Sequence, residues 1–137
     1  MITMEDALWV RDNITIQWVH DTPSFAYTIG LWHHGLPELI IVGMNMEQSG
    51  QCLNLCSAFM HSRGAFKPGD IDVDMFTMPT KFGRVSTSYI ASMMQQAIHN
   101  GPPGLGDVVQ VIYPDTRGIF PDEKGYSLGG ADQELLD

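Results

Sequence analysis

Histidines, carboxylates and two cysteines are the side chains here best able to do chemistry, and their spacing narrows what that chemistry could be. His33 and His34 are adjacent, so in an extended segment they point to opposite sides and cannot easily hold one metal ion. Either could act with His20, Glu38 or Asp115 as a metal ligand or a general acid–base group. The least strained catalytic reading is hydrolysis by a His/Asp pair, one of His20, His33 or His34 with Asp115, although no spacing requires it. Its alternative is one solvated loop histidine beside one packed histidine. Asp70, Asp72 and Asp74 alternate with Ile71, Val73 and Met75, which puts three carboxylates on one face of a strand. Hard cations favour such oxygen ligands. However, Met75 and Phe76 stand where a calcium-binding loop needs glycine, so an edge protected by charge is the better reading. Cys52 and Cys56 share a helical face four residues apart, a spacing that would strain a disulfide. No second Cys/His pair sits at ligand spacing. Both are read as reduced thiols in a cytoplasmic core, and no metal site is expected.

A second group of polar residues lies on otherwise apolar strands. Tyr27, Thr28 and Gly30 fall on one of them, with Thr28 and Gly30 on one side and Tyr27 on the other. Thr28 and Gly30 could floor a small pocket; Gly30 could equally mark a bulge or a close packing contact. Gln110 occupies a core position between valines and needs a hydrogen-bond partner. Asp115 follows Tyr113-Pro114 and could serve a site or simply make a turn. The expected ligand-binding set is Tyr27, Thr28, Gly30, Arg84 and Gln110.

Familiar catalytic signatures are absent: there is no GxSxG, HExxH, P-loop or GxGxxG. The glycine-rich run 101–106 is broken by Pro102 and Pro103 and follows a helix rather than opening one. Cofactors are left open.

The elements that must position these residues follow from periodicity. Residues 3–11 read as a short helix capped by Thr3. Residues 14–20 alternate with period two, and 25–31 form a second strand across a tight link, so a hairpin is expected. The run 39–42 is fully apolar and reads as a buried strand. A helix is expected over 46–62, strands over 70–76 and 80–86, a second long helix from Ser86, Thr87 or Ser88 to Asn100, and a last strand over 108–113. This order predicts an α+β two-layer sandwich. Its mixed or antiparallel sheet has about five to six strands, with two longer helices and a short N-terminal one. One domain over 1–137 is expected, with a loose acidic tail at 127–137.

The chain has 137 residues and a net charge of −9, which disfavours a nucleic-acid scaffold or an anionic membrane surface. No apolar run approaches membrane-spanning length. The charge is uneven: five acids and one base in 1–38, four of each in 39–106, seven acids and two bases in 107–137. The middle bases Arg63, Lys67, Lys81 and Arg84 lie within 22 residues and could surround a small anion, or merely solubilise that stretch. A small polar or anionic ligand is therefore expected, with hydrolysis as a further option. The alternative is an acidic inhibitor of the immunity or counter-defence type. It would bind a basic protein through the acidic ends and Trp9, Trp18 and Trp32. A homo-oligomer is a third option.

Three blocks carry a resemblance: Phe25-Ala26-Tyr27-Thr28-Ile29-Gly30-Leu31; Pro37-Glu38-Leu39-Ile40-Ile41-Val42-Gly43; and Gln110-Val111-Ile112-Tyr113-Pro114-Asp115 with Gly118 and Phe120-Pro121. In these blocks and their spacing the chain resembles a bacterial family described as domain of unknown function 4262. The resemblance implies a compact α+β domain and no particular activity. The chain departs from the family pattern at Leu36, where a histidine is usual before the proline, and at Asp122, where an aromatic tends to follow Phe-Pro.

Overall fold

The computed structural model describes residues 2–104, 106–126 and 133–137. Helix α1 (Met4–Asn13) starts with a reciprocal cap: Asp6 N–H donates to Thr3 Oγ1, while the Thr3 N–H donates to the Asp6 carboxylate at 2.8 Å. Strands β1 (Thr15–Val19) and β2 (Phe25–Ile29) form the expected hairpin, with Gln17 opposite Tyr27. A single 3-10 turn (Leu31–His34) leads into β3 (Glu38–Val42), which is buried throughout, as its apolar run requires. Helix α2 (Met46–Arg63) is capped by the Asn45 side chain.

β4 (Ile71–Asp72) is shorter than the strand expected over 70–76. The Asp72 carboxylate accepts from Asp74 N–H at 3.0 Å and Met75 N–H at 2.8 Å, which turns the chain out of the sheet. Consequently the three aspartates do not share a strand face. β5 (Thr80–Arg84) follows. The single helix expected up to Asn100 is two, α3 (Thr87–Met93) and α4 (Gln95–Asn100), broken at Met94. Met94 is fully buried. The backbone N–H of Gln96, in the first turn of α4, donates to the Tyr27 hydroxyl at 3.2 Å. β6 (Val108–Ile112) closes the series.

The strands make one six-stranded mixed sheet in the order β1-β2-β3-β6-β5-β4. Only β3 and β6 run parallel, with Ile40 opposite Gln110. This is an α+β fold, as the element order predicts. Helices α1 and α2 cover one sheet face, burying Ala26, Leu39, Ile41, Phe82, Val109 and Val111 against Leu53, Cys56 and Met60. The expected two layers account for that side. The other face also carries apolar residues, Phe25, Tyr27, Ile40 and Val42, and a second, smaller core forms there under Ile90, Met94, Ala97 and Leu136.

The expected loose tail needs correcting over 133–137; residues 127–132 lie outside the described residues. Leu136 is fully buried, its N–H donates to Gln110 Oε1 at 2.9 Å, and its carbonyl accepts from Ser86 N–H at 2.8 Å. Acidic composition alone hides one apolar anchor. Among the described residues no helix is long and apolar enough to cross a membrane.

Candidate functional site

Strand β2 places Thr28 on the α2 side of the sheet, where its hydroxyl donates to Glu38 Oε1 at 2.7 Å and accepts from Leu39 N–H at 2.8 Å. The Glu38 carboxylate also accepts from the N–H groups of Gly30, Leu31 and Trp32 at 3.0, 3.1 and 3.2 Å. It is thus the anchor of the 3-10 turn. Burial pushes its carboxyl above the usual range, and the Thr28 hydroxyl and the three N–H groups oppose that push. Gly30 has φ +121°, and a Cβ there would lie 2.4 Å from the Asn13 carbonyl oxygen. Its glycine is explained by close packing on the end of α1, not by a ligand.

Of the other expected contacts, Arg84 and Gln110 line one small cleft beside β5, and Tyr27 lies apart from both. Tyr27 lies on the α4 side, with its hydroxyl used by Gln96 N–H and its phenol pushed up by burial. Gln110 spans to the C-terminal segment, donating to the Glu134 carbonyl at 2.6 Å and accepting from Leu136 N–H. Arg84 is exposed on β5, three strands from β2, or about 14 Å at ordinary strand spacing. Tyr27, Thr28, Gly30, Arg84 and Gln110 therefore do not converge on one pocket.

The catalytic set separates too. His33 and His34 sit before β3, whereas Asp115 follows β6. Because β3 and β6 run parallel, these positions are at opposite ends of the sheet. His33 Nε2 lies 2.8 Å from the Asn100 carbonyl, and His34 meets the Trp9 ring edge-on at 5.0 Å. Buried Asp115 accepts from the N–H groups of Arg117 and Ile119 at 2.8 and 3.0 Å, shaping the loop after β6.

One polar pair escaped sequence reasoning. Buried Asp6 in α1 accepts from or pairs with His61 Nδ1 at 2.7 Å, and Trp9 stacks on His61 at 4.3 Å. The Thr3 N–H, then His61, hold the Asp6 carboxyl below its ordinary range. The capping signature at Thr3 was readable; the partner 55 residues on was not. Cys52 and Cys56 are buried free thiols, and the Cys52 contact together with burial pushes the Cys56 thiol up. Among the described residues no three His, Cys, Asp or Glu side chains are grouped to hold a metal ion.

A concave feature lies at the end where β3 and β6 begin. It is a groove of about 770 Å³. Leu36, Phe66, Val85 and Ile90 give it apolar walls, and Lys67 and Arg84 bring positive charge. Asp107 lines it as well. Elsewhere Arg11 pairs with Asp12 at 3.0 Å, Arg63 with Asp72 at 3.0 Å, Lys81 with Asp122 at 3.9 Å and over the Phe120 ring, and Arg117 with Asp115 at 3.6 Å. Among the described residues the side chains of Lys67, Arg84 and Lys124 have no hydrogen bond or ion pair, and of these Lys67 and Arg84 share the groove. A smaller cleft of about 350 Å³ lies between β5 and the C-terminal segment and also includes Arg84. There Asp70, Asp122 and Asp137 outnumber Lys81 and Arg84, so it suits an anion less well.

The fold and this groove define a small α+β protein built on a mixed six-stranded sheet, with an open cationic groove at one end. The chain belongs to the family described as Domain of unknown function (DUF4262), whose model matches residues 9–127. No curated protein and no solved structure gives a match.

Proposed function

We propose that the protein binds a small anionic ligand with an apolar body in the groove lined by Lys67 and Arg84. The observation that carries this reading is the pair of unneutralised cations beside apolar walls, in a chain of net charge −9 whose other groove-side options are paired or acidic. Phe66, Val85 and Ile90 would cover the ligand body, and Asp107 would accept from any hydroxyl it carries. Leu36, where the family resemblance leads one to expect histidine, lines the same groove. A hydrolytic step receives no support from His33, His34 and Asp115, which lie too far apart to cooperate. The reduced, buried thiols suit a reducing compartment, and we place the protein in the cytoplasm.

The inhibitor reading has less behind it. Trp32 donates to the Asp107 carbonyl at 2.7 Å and is buried, and Trp9 stacks on His61, so neither indole is free to anchor a partner.

Thermal unfolding in the presence of inorganic phosphate, nucleotides, sugar phosphates and short carboxylates tests the proposal. A member of that panel should raise the melting temperature of the wild type but not of Lys67→Ala or Arg84→Ala. A flat response across the whole panel, or an equal rise in both variants, would defeat it.

A further inference from the structure

One short turn, residues 67–70, carries opposite charges into two neighbouring clefts. Within it, Lys67 N–H donates to Asp70 Oδ2 at 2.9 Å, and Asp70 N–H donates to the Lys67 carbonyl at 3.0 Å. β5 anchors the turn: Gly69 N–H donates to the Phe82 carbonyl at 2.8 Å, and Phe82 N–H donates to the Asp70 carbonyl at 2.9 Å. Lys67 lines the groove of about 770 Å³, whereas Asp70 lines the cleft of about 350 Å³. Arg84 lines both, so the two adjoin at the end of β5.

Their charges differ in sign. In the groove Lys67 and Arg84 face Asp107 alone. In the cleft Lys81 lies 3.9 Å from Asp122, which leaves Asp70 and Asp137 against Arg84. A purely anionic ligand gains nothing by extending from the groove into the cleft, because two carboxylates repel it there. A molecule with an anion at one end and a cation at the other gains in both. Two exposed apolar side chains, Ile71 and Leu135, also line the cleft and suit an apolar chain.

We propose that the ligand is a dipolar small molecule, with its anionic group at Lys67 and Arg84 and a primary ammonium at Asp70 and Asp137. This rests on the anion-binding reading of the groove and adds the second charge. The register Ile71–Lys81 continues to Asp70 opposite Phe82, and Arg84 lies two residues further along β5. That offset is about 7 Å at ordinary strand rise, roughly the span between the charges of ε-aminocaproate.

Isothermal titration calorimetry with ε-aminocaproate, caproate, hexylamine and γ-aminobutyrate tests the proposal. Wild-type protein should bind ε-aminocaproate about fivefold or more tightly than caproate. Added salt should shrink that gain, and γ-aminobutyrate, too short to span the offset, should lose it. Asp70→Asn keeps an oxygen able to accept from Lys67 N–H and should bring ε-aminocaproate down to the level of caproate. Asp137→Asn, at an exposed position, repeats the test if Asp70→Asn does not fold. Equal wild-type binding of caproate and ε-aminocaproate would overturn the dipolar ligand while leaving the anionic reading standing. Tightest binding of hexylamine, or no binding of any probe, would overturn both. An acetylated peptide ending in lysine presents the same two charges on a chain terminus. Tighter binding of that peptide than of ε-aminocaproate would overturn a free small molecule as the ligand.

Discussion

The two ends of the sheet treat their polar residues in opposite ways. Where β6 finishes, buried polar groups are held by partners. Asp115 accepts from two backbone N–H groups, and Gln133 both accepts from Tyr113 N–H at 2.9 Å and donates to its carbonyl at 2.7 Å. The Tyr113 hydroxyl donates to the Val42 carbonyl at 2.8 Å. Where β3 and β6 begin, Glu38 is equally well held, but Lys67 and Arg84 face a groove without a partner. Polar residues on apolar strands therefore mark networks that hold the fold, because a buried polar group is tolerated once its hydrogen bonds are made. A charge left unneutralised beside apolar walls is the better pointer to a ligand.

The contrast can be broken most easily at Glu38. Glu38→Ala leaves the Thr28 hydroxyl and three N–H groups without their acceptor and should lower stability by about 4 kcal/mol in urea unfolding. A near-neutral result would mean that water replaces the carboxylate and that the 3-10 turn does not depend on it. Gln110→Ala should cost about 2 kcal/mol, and residues 133–137 should become open to carboxypeptidase. Resistance equal to the wild type would show that Leu136 burial alone holds the segment.

Asp6 sharpens the comparison through pH. Its carboxyl titrates below its unfolded value, so its contribution to stability is present above the ordinary carboxylate range and is lost as pH falls through the lowered value. Urea midpoints measured downward from neutral pH should fall less steeply for Asp6→Asn than for the wild type. Matching slopes would remove Asp6 as a source of the acid sensitivity. The smallest effect belongs to the groove: Arg84→Ala should change stability by no more than about 0.5 kcal/mol, since the side chain is exposed and unpaired. A large loss there would make Arg84 part of the framework and weaken its reading as a ligand contact.

Local rules made much of the fold legible. Thr3 and Asp6 announced the first cap, and alternation over 14–20 with a tight link announced the hairpin. The apolar run 39–42 became a strand buried on both faces. Elements were misjudged where a distant or turn-forming side chain intervened. The Asp72 carboxylate ended β4 early, and the Tyr27 hydroxyl took up an N–H in the first turn of α4, just past the break. The site was less legible still. Alternation did place Tyr27 and Thr28 on opposite sheet faces, but residues expected to cooperate, His33 and Asp115, went to opposite ends.

By itself the sequence determined an acidic α+β chain, its main elements, a core able to hold two reduced thiols, and its kinship with the DUF4262 family. Short-range periodicity and capping suffice for that, because those forces act within a few residues. Only the tertiary structure decided that β3 and β6 run parallel, that Gln110 secures Leu136, and that Lys67 and Arg84 face a common groove. Those outcomes depend on strand order and on hydrogen bonds between distant positions, which no local pattern encodes.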